Sequence, residues 1–478
     1  MMKNGFTQFG LSEEIVEALD GLKYKEPTEV QERVIPEAMQ RKDVVVKAQT
    51  GSGKTAAFAA PICEQIVWEE NKPQALILTP TRELAMQVRE EIQNIGRFKR
   101  IKASLLVGQQ PAAPQRVELK QKVHVVVGTP GRVLDHLKKG TLALDKVKHL
   151  VLDEADEMLN MGFIDQVEEI IGEVPEARTT SLFSATLPRK VRDLADFYMR
   201  SPETIEVKTA AQKPDISFRW IQADEEEKFK VLTQLLAVER PESAILFCAR
   251  KETVDDVERR LTDEGISAAK IHGGLEQKDR TRVMQEFKRG TVRYLVATDV
   301  AARGIDVSEM PLVVNYDVPE EADKFVHRTG RTARAGKSGE AITIAAPREK
   351  RFVAEIERYT NETVNWEEAP LVTTADQRAF DQLMETVPQM KKNKSAPLEK
   401  NITKLYFNGG KKKKLRAVDF VGTITNIPEV TADDIGVISI EQLATYVDIL
   451  NGKGSVVLQE MQERTVKGKR LKVREARN

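Results

Sequence analysis

The chain contains 478 residues, of which 41% are hydrophobic and 31% are charged. This length exceeds the roughly 250–300 residues at which a single hydrophobic core stops growing, so two or three domains are expected. The composition is typical of a globular protein and excludes a largely disordered chain. No run approaches the roughly 20 apolar residues that a membrane helix needs, and the opening residues carry no apolar export signal.

The two cysteines, Cys63 and Cys248, lie far apart in separate apolar runs. This spacing excludes a disulfide framework and a cysteine-based metal site. Because no export signal is present either, the expected location is the reducing cytoplasm.

Charge is balanced over the whole chain but not along it. Residues 401–478 contain 14 lysines and arginines against 9 acidic residues, a balance of +5, which leaves the first 400 residues at −5. A basic C-terminal region indicates a polyanionic partner. The alternative is an ordinary basic face exposed to solvent.

Short apolar runs alternate with longer amphipathic stretches through most of the chain. Such runs predict buried strands in βαβ units, and therefore parallel sheets covered on both faces by helices. The runs form two series, which predicts two α/β domains. The first series is residues 44–47, 75–78, 123–127, 150–152 and 181–183, and the second is 244–247, 270–271, 294–297, 312–314 and 341–344.

A third pattern follows a lysine- and proline-containing stretch, residues 388–400, that predicts a flexible connector. The predicted order is strand, helix, strand, strand, helix, strand, the split βαβ arrangement found in RNA-recognition modules. These elements are residues 405–407, 415–427, 436–440, 445–449, 454–464 and 470–474. The predicted organisation is a first domain over 1–207, a linker over 208–215, a second domain over 216–365, a connector over 366–402 and a third domain over 403–478.

The strand predicted at 44–47 leads into a glycine-rich run and then a helical pattern, which is the order of a phosphate-binding loop. Its glycines let backbone N–H groups face a phosphate, and the helix N-terminus adds positive potential. Lys54 is expected to reach the β- and γ-phosphates, and Thr55 to hold Mg²⁺. The alternative, a glycine-rich turn, does not account for a Lys-Thr pair at the helix start. The run is Ala48, Gln49, Thr50, Gly51, Ser52, Gly53, Lys54 and Thr55.

An acidic pair follows the predicted strand at 150–152. Asp153 is expected to hold Mg²⁺, and Glu154 to position and deprotonate the attacking water. The alternative is an acidic helix N-cap. In the second predicted domain, Arg331 and Arg334 lie three residues apart, on one face if helical, so they are predicted to clamp the transferred γ-phosphoryl group. The alternative there is a solvated helix face.

These motifs resemble those of the DEAD-box RNA helicases over about residues 9 to 345, and they occur in that family's order. The resemblance implies two tandem RecA-like P-loop domains, with ATP and Mg²⁺ as cofactors. It also implies that Gln31 bonds the adenine edge, that Tyr24 stacks on the base, and that Asp306 contacts the ribose.

Further motifs similar to those of the family imply RNA contacts and coupling in both helicase domains. The implied contacts are to the sugar-phosphate backbone, which positions a strand without reading its sequence. The implied RNA-binding residues are Arg82, Thr129, Arg132, Arg280 and Thr298. Ser184, Thr186 and His327 are implied to couple ATP hydrolysis to strand separation.

Beyond residue 400 the chain resembles the DbpA/YxiN subgroup of that family. This resemblance implies a small α+β, RRM-like domain that binds a hairpin of large-subunit (23S) ribosomal RNA. The implied RNA-binding residues are Tyr406, Lys411, Lys412, Lys413, Lys414 and Arg416. The alternative is a folded basic domain that only tethers or dimerises.

The expected function is therefore ATP-dependent unwinding or remodelling of structured RNA. The expected substrate is large-subunit ribosomal RNA in the pre-ribosomal large subunit during ribosome biogenesis, and the expected state is a monomer. One alternative is an ATP-gated RNA clamp or assembly platform that does not unwind. Another is a P-loop enzyme that acts on DNA or a metabolite.

Overall fold

The computed structural model describes residues 4–49, 51–207, 216–302, 310–332, 338–361, 363–386 and 401–476. Of the predicted site residues, Thr50, Asp306 and Arg334 lie outside these ranges, as do the predicted linker over 208–215 and the lysine-containing stretch over 388–400. Within the described ranges, no helix is both long and apolar enough to cross a membrane.

The first domain is a seven-stranded, fully parallel sheet with strand order β3-β4-β2-β5-β6-β1-β7. The strands are β1 (Val44–Lys47), β2 (Ala75–Leu78), β3 (Ala103–Leu106), β4 (Val125–Gly128), β5 (His149–Leu152), β6 (Thr179–Ser184) and β7 (Glu203–Glu206). The helices are α1 (Glu13–Gly21), α2 (Glu29–Met39), α3 (Lys54–Gln65), α4 (Arg82–Ile95), α5 (Ala112–Leu119), α6 (Pro130–Lys138), α7 (Ala155–Asn160), α8 (Ile164–Gly172) and α9 (Arg189–Tyr198).

Successive residues of the central strands enter two different apolar clusters. Val44 and Val46 pack in one cluster, whereas Val45 between them packs in the other. The same alternation places Ile77 opposite Leu76 and Leu78. A strand points successive side chains to opposite faces, so strands covered on both faces need continuous apolar sequence. The predicted parallel, doubly covered sheet is confirmed.

The second domain repeats this design with strand order β10-β11-β9-β12-β13-β8-β14, again all parallel. The strands are β8 (Ile216–Gln222), β9 (Ala244–Phe247), β10 (Ala268–Ile271), β11 (Tyr294–Ala297), β12 (Leu312–Asn315), β13 (Gly339–Ala345) and β14 (Trp366–Glu367). The helices are α10 (Lys228–Glu239), α11 (Lys251–Asp263), α12 (Gln277–Arg289), α13 (Asp299–Ala302), α14 (Ala322–Thr329), α15 (Lys350–Thr360) and α16 (Thr374–Glu385).

The third domain is a four-stranded antiparallel sheet with order β16-β17-β15-β20 and its own apolar core. Its elements are β15 (Thr403–Phe407), α17 (Ala417–Ile424), β16 (Ile435–Ile440), β17 (Thr445–Ile449), α18 (Gly454–Glu460), a hairpin of β18 (Thr465–Val466) and β19 (Lys469–Arg470), and β20 (Val473–Glu475). The predicted β-α-β-β-α-β order is confirmed.

Two details of the third domain differ from the sequence prediction. The last strand, predicted over 470–474, is divided between β19 and β20, because the side chain of Asn408 accepts from the backbone N–H of Lys472 (2.7 Å) and Leu471 turns into the core. The helix predicted over 454–464 ends earlier, at Glu460.

The connector predicted over 366–402 also needs correction in its first part. β14 pairs with β8, and α16 packs on the second domain, where its Phe380 is buried in the apolar cluster. Residues 366–386 are therefore a packed part of the second domain.

Candidate active site

The phosphate-binding loop, residues 48–55, joins β1 to α3. Gly51 and Gly53 have φ of 86° and 90°, values that glycine adopts without steric cost. Lys54 is the first residue of α3, is buried, and donates from Nζ to the carbonyl of Ala48 at 3.1 Å. The loop therefore combines a helix N-terminus with a cation directed into the loop, which is the arrangement that holds a phosphate.

Gln31 holds this loop against α2. Its side-chain oxygen accepts from the backbone N–H of Thr28 (2.8 Å), and its amide donates to the carbonyl of Gly53 (3.1 Å). The Thr28 hydroxyl donates to the carbonyl of Ser52 at 2.8 Å. A Cβ at position 53 would lie 2.5 Å from Gln31 Nε2, and the φ of 90° there already favours glycine. The loop-holding role of Gln31 was not predicted, although Thr28 and Gln31 have the spacing of a capping box.

Tyr24 lies at the edge of the first domain's apolar core. Its ring packs edge-on against Phe6 with centroids 6.3 Å apart, and its hydroxyl donates to Glu91 at 2.7 Å. Stacking of Tyr24 on a base, like adenine recognition by Gln31, stays a prediction.

The acidic pair lies at the carboxyl end of β5. Asp153 is buried, and its Oδ1 accepts no hydrogen bond from any described residue. Burial raises the pKa of Asp153 to about 7; the charge of Lys54 opposes this shift and that of Glu154 adds to it. An isolated buried carboxylate is costly, so this one is suited to a cationic ligand.

Glu154 lies in the left-handed region, with φ 55° and ψ 53°. This conformation costs about 1–2 kcal/mol for a residue with a Cβ. Such strain concentrates at functional sites and directs Glu154 differently from its neighbour Asp153. The two carboxylates can therefore perform two separate tasks.

The polar atoms here fit Mg²⁺. The orphaned oxygen of Asp153 and the hydroxyl residue Thr55 at the start of α3 are hard oxygen donors, which this cation prefers. Among the described residues, no group of three or more His, Cys, Asp or Glu side chains could hold a metal ion alone.

A second network joins α7 to the end of β6. The Asp156 carboxylate accepts from the backbone N–H (2.8 Å) and the hydroxyl (2.9 Å) of Thr186. Ser184 Oγ accepts from the backbone N–H of Asp156 (3.2 Å) and donates to the carbonyl of Thr186 (2.5 Å). The structure thus brings together two of the three predicted coupling residues, Ser184 and Thr186. It adds Asp156, whose role the sequence reasoning missed.

The predicted RNA-binding residues of the first domain lie at the starts of two helices and share a loop. Arg82 begins α4 and donates to Gln109 at 2.5 Å. Thr129 is the N-cap of α6, and Arg132 in that helix donates to the Gln110 carbonyl (3.0 Å) and to Gln115 Oε1 (3.1 Å). Helix N-termini with arginines are suited to phosphate contacts.

In the second domain, Arg280 lies in α12, Thr298 follows β11, His327 lies in α14, and Arg331 follows α14. Arg280 and Arg331 are both buried.

Arg328, which the sequence did not single out, fixes this region. It donates two parallel hydrogen bonds to Asp299, at 2.5 and 2.8 Å, and a third to the carbonyl of Asp317 at 2.7 Å. This fork ties α14 to α13 and so places the neighbouring His327 and Arg331.

On the third domain's sheet, three side chains form a row across adjacent strands. Tyr446, Tyr406 and Arg474 are paired in register. The tyrosine rings lie edge-on with centroids 5.6 Å apart, and the Arg474 guanidinium lies 4.7 Å from the centre of the Tyr406 ring. Residues 411–414 lie beside this sheet, where Lys467 donates to the Lys414 carbonyl (3.0 Å) and Lys469 to that of Lys413. The lysines from the two chain segments are therefore adjacent.

A known protein family matches each of the three domains. The family described as "DEAD/DEAH box helicase" matches residues 28–194, "Helicase conserved C-terminal domain" matches 227–336, and "DbpA RNA binding domain" matches 404–475. The chain is 57% identical over 474 residues to "ATP-dependent RNA helicase DbpA" of Bacillus subtilis, covering 98% of this chain and 99% of that protein. The chain belongs to the DEAD-box ATP-dependent RNA helicases.

Other relatives share the helicase domains. A "DEAD-box ATP-dependent RNA helicase CshA" of Geobacillus kaustophilus is 45% identical over 371 residues, covering 77% of this chain and 79% of that protein. Dbp5 of S. cerevisiae, solved bound to RNA and ADP BeF3, is 30% identical with a TM-score of 0.71, covering 80% of this chain and 100% of that chain. Mss116p, solved bound to ssRNA and AMP-PNP, is 28% identical with a TM-score of 0.68, covering 80% of this chain and 81% of that one.

This DEAD-box helicase is therefore an ATP-using enzyme that binds RNA and carries a DbpA-type RNA-binding domain. The alternative of a P-loop enzyme for DNA or a metabolite is excluded.

Proposed function

We propose that this helicase locally unwinds or remodels large-subunit (23S) ribosomal RNA during ribosome assembly, guided to its substrate by the C-terminal domain. The observation that carries the proposal is a DbpA-type RNA-binding domain on a helicase core. The excess positive charge of residues 401–478 and the Tyr406–Arg474 face support it, since aromatic rings and arginines stack on unpaired bases.

The division of work follows the domains: residues 1–207 bind ATP, 216–365 together with the packed segment 366–386 form the second helicase domain, and 403–478 bind the target RNA. In the first domain, residues 48–55 cradle the phosphates, with Lys54 on the β- and γ-phosphates. Gln31 and Tyr24 contact the adenine, and Asp306 contacts the ribose. Thr55 and Asp153 hold Mg²⁺, which neutralises phosphate charge when bound.

Glu154 then orients the attacking water and accepts its proton. Arg331 and Arg334 stabilise the charge on the transferred γ-phosphoryl group, a contribution of about 10³–10⁵ in rate for such arginines. The Asp156–Thr186–Ser184 network, together with His327, transmits the state of the nucleotide to the RNA-binding surface. The burial of Asp153 and the strained backbone of Glu154 support these roles.

The core contacts RNA through its backbone, using Arg82, Thr129, Arg132, Arg280 and Thr298. Such contacts do not read sequence, so the core acts on any strand presented to it. The C-terminal domain binds a ribosomal RNA hairpin through Tyr406, Lys411, Lys412, Lys413, Lys414 and Arg416. Tethering this domain to the core raises the local concentration of substrate without new core contacts. We place this work in the cytoplasm and in a monomeric enzyme.

The decisive experiment measures ATP turnover and strand displacement with a panel of RNAs, for the full chain and for a chain ending at residue 400. The full chain should turn over ATP fastest with 23S ribosomal RNA, and the truncated chain should lose that preference while keeping its response to generic single-stranded RNA. Equal stimulation of ATP turnover by all RNAs would refute the proposal that the C-terminal domain directs the enzyme to ribosomal RNA. ATP-dependent RNA binding without displacement of a short duplex beside the bound fragment would favour the clamp.

A further inference from the structure

The sequence predicted a connector over 366–402 between the second helicase domain and the RNA-binding domain, but the first part of it is packed structure. Residues 366–386, here called the anchor segment, are packed on the second domain. We propose that the anchor segment sets how far the RNA-binding domain reaches from that domain. It thereby limits the spacing between the RNA element that is recognised and the duplex that is opened. This inference rests on the proposed function, because it assumes that the C-terminal domain supplies the address.

The anchor segment begins as an edge strand. β14 pairs in parallel with β8, and the ring of Trp366 packs edge-on against buried Trp220 with centroids 6.2 Å apart. The neighbouring Glu367 accepts from Arg219 at 2.7 Å. The segment is thus joined to the sheet before α16 begins.

The start of α16 is capped and held by an ion pair. Thr373 and Asp376 form a reciprocal capping box, in which each backbone N–H donates to the other side chain at 3.1 Å. The Thr373 hydroxyl also donates to the carboxylate at 2.6 Å. Arg240, just after α10, donates to the same carboxylate at 2.9 Å. In its middle, α16 buries Phe380 in the apolar cluster that includes Leu232 and Leu236 of α10.

The end of α16 is held by Arg293, which lies immediately before β11 and is only 4% exposed. One of its nitrogens donates to the carbonyls of Leu383 (2.8 Å) and Thr386 (2.9 Å) and to the Thr386 hydroxyl (2.8 Å). The last carbonyls of a helix have no partner within the helix, and a charged donor binds them strongly. Arg293 therefore fixes the C-terminal end of α16 on the second domain.

This anchoring changes the maximum reach. Fourteen residues separate Thr386 from Asn401, and fully extended they span at most about 50 Å. A free connector over 366–402 would span at most about 120–130 Å. Effective concentration falls roughly as the −3/2 power of tether length, so anchoring raises it about fourfold at short range.

The test uses the full-length helicase and a graded set of RNAs. Each RNA joins the smallest 23S ribosomal RNA fragment that the enzyme retains to a short duplex through a single-stranded spacer of increasing length. Strand displacement is measured against the same duplex without the fragment. For the wild type, stimulation by the fragment should cease beyond a limiting spacer length.

Two variants loosen the tether in different ways. Arg293→Ala/Phe380→Ala releases α16, whereas insertion of 14 Gly/Ser residues after Thr386 lengthens the tether and leaves the anchor intact. Both should move the limiting spacer outward, and the insertion should lower stimulation at the shortest spacer about threefold. Arg378→Ala, on the exposed side of α16, is the matched control and should keep the wild-type profile.

The outcomes distinguish a failure of the inference about reach from a failure of the proposed function. ATP turnover with unattached single-stranded RNA should be equal in all variants, which shows that the core is folded. A wild-type profile for Arg293→Ala/Phe380→Ala, or for the insertion, overturns the inference about reach. If the fragment stimulates strand displacement by neither the wild type nor any variant, the proposed recognition of ribosomal RNA is wrong, and the inference about reach is wrong with it.

Discussion

The two helicase domains each bury a lysine, and the surroundings of the two lysines differ. In the second domain, Lys228 is fully buried and lies 2.7 Å from Glu349, 3.2 Å from Asp317 and 3.7 Å from Glu225. In the first domain, Lys54 donates to the backbone carbonyl of Ala48, and it forms no ion pair within the described ranges.

This contrast separates a structural charge from a functional one. A buried charge is stable when it is paired and hydrogen-bonded, so Lys228 needs nothing further. Lys54 and the orphaned oxygen of Asp153 are left for a ligand that carries both negative charge and a metal ion. Changes at Lys54 should therefore affect activity, and changes at Lys228 should affect folding.

The largest expected effect is that of Lys54→Ala. Loss of the cation that we propose contacts the phosphates should lower RNA-stimulated ATP turnover by at least about 10³-fold. Binding of the 23S fragment by the C-terminal domain should persist. Steady-state ATP hydrolysis and RNA binding measure the two effects. The matched control is Lys47→Ala, since Lys47 is half exposed and lies 3.9 Å from Glu206. An equal loss of ATP turnover in both variants would show that Lys54 has no special role.

Glu154→Gln should lower the rate of hydrolysis by about 10²–10⁴, the usual contribution of a general base. ATP affinity should be retained, because Lys54 and the loop glycines are unchanged. Single-turnover hydrolysis and binding of a fluorescent nucleotide test this, with the exposed Glu173→Gln as the control. Normal hydrolysis by Glu154→Gln would show that another group is the base.

Lys228→Met should act on stability instead. Removing one partner leaves Asp317 and Glu349 buried without their counter-charge, which costs about 3–5 kcal/mol. For a domain of this size the unfolding midpoint should fall by about 10 °C or more. The fluorescence of Trp220, a buried residue of this domain, follows the transition. Lys230→Met, on the exposed side of α10, should leave the midpoint unchanged; a loss of ATP turnover in folded Lys228→Met would contradict the structural role.

How far apart in the chain two residues lie decides which parts of the site could be predicted from sequence. The positions of the glycine-rich loop before α3 and of the acidic pair after β5 were predictable, because the chemistry proposed for them requires fixed residue types at fixed short spacings. The contacts of Gln31 with Gly53 and of Asp156 with Thr186 join segments far apart in the chain, so no local pattern contains them.

Strands at sheet edges were missed for a different reason. β7 buries one of its four residues and β14 buries none, so neither produces a continuous apolar run. α16 was also missed, because Phe380 is its only buried residue and its other apolar residues are few. Its attachment depends on Arg293, which precedes it by some 90 residues. Strands whose residues are all buried, such as β2, β9 and β11, were found because both of their faces are covered.

The smallest expected effect concerns pH and the first domain. Burial, reinforced by the charges of Arg41 and Lys148, lowers the pKa of His149 to about 4. The unfolded chain has a pKa near 6.5, so between about pH 6.5 and 4 it binds a proton that the folded domain does not. Stability contributed by neutral His149 is therefore present above pH 6.5 and is lost as the pH falls, by about 3 kcal/mol in total. His149→Gln should remove about one proton from the pH slope of unfolding, measured by denaturant titration with Trp68 as the probe of this domain. His272→Gln, in the second domain, leaves His149 in place and should retain the slope. An unchanged slope in His149→Gln would contradict the prediction, because it would show that His149 does not account for the proton taken up on unfolding.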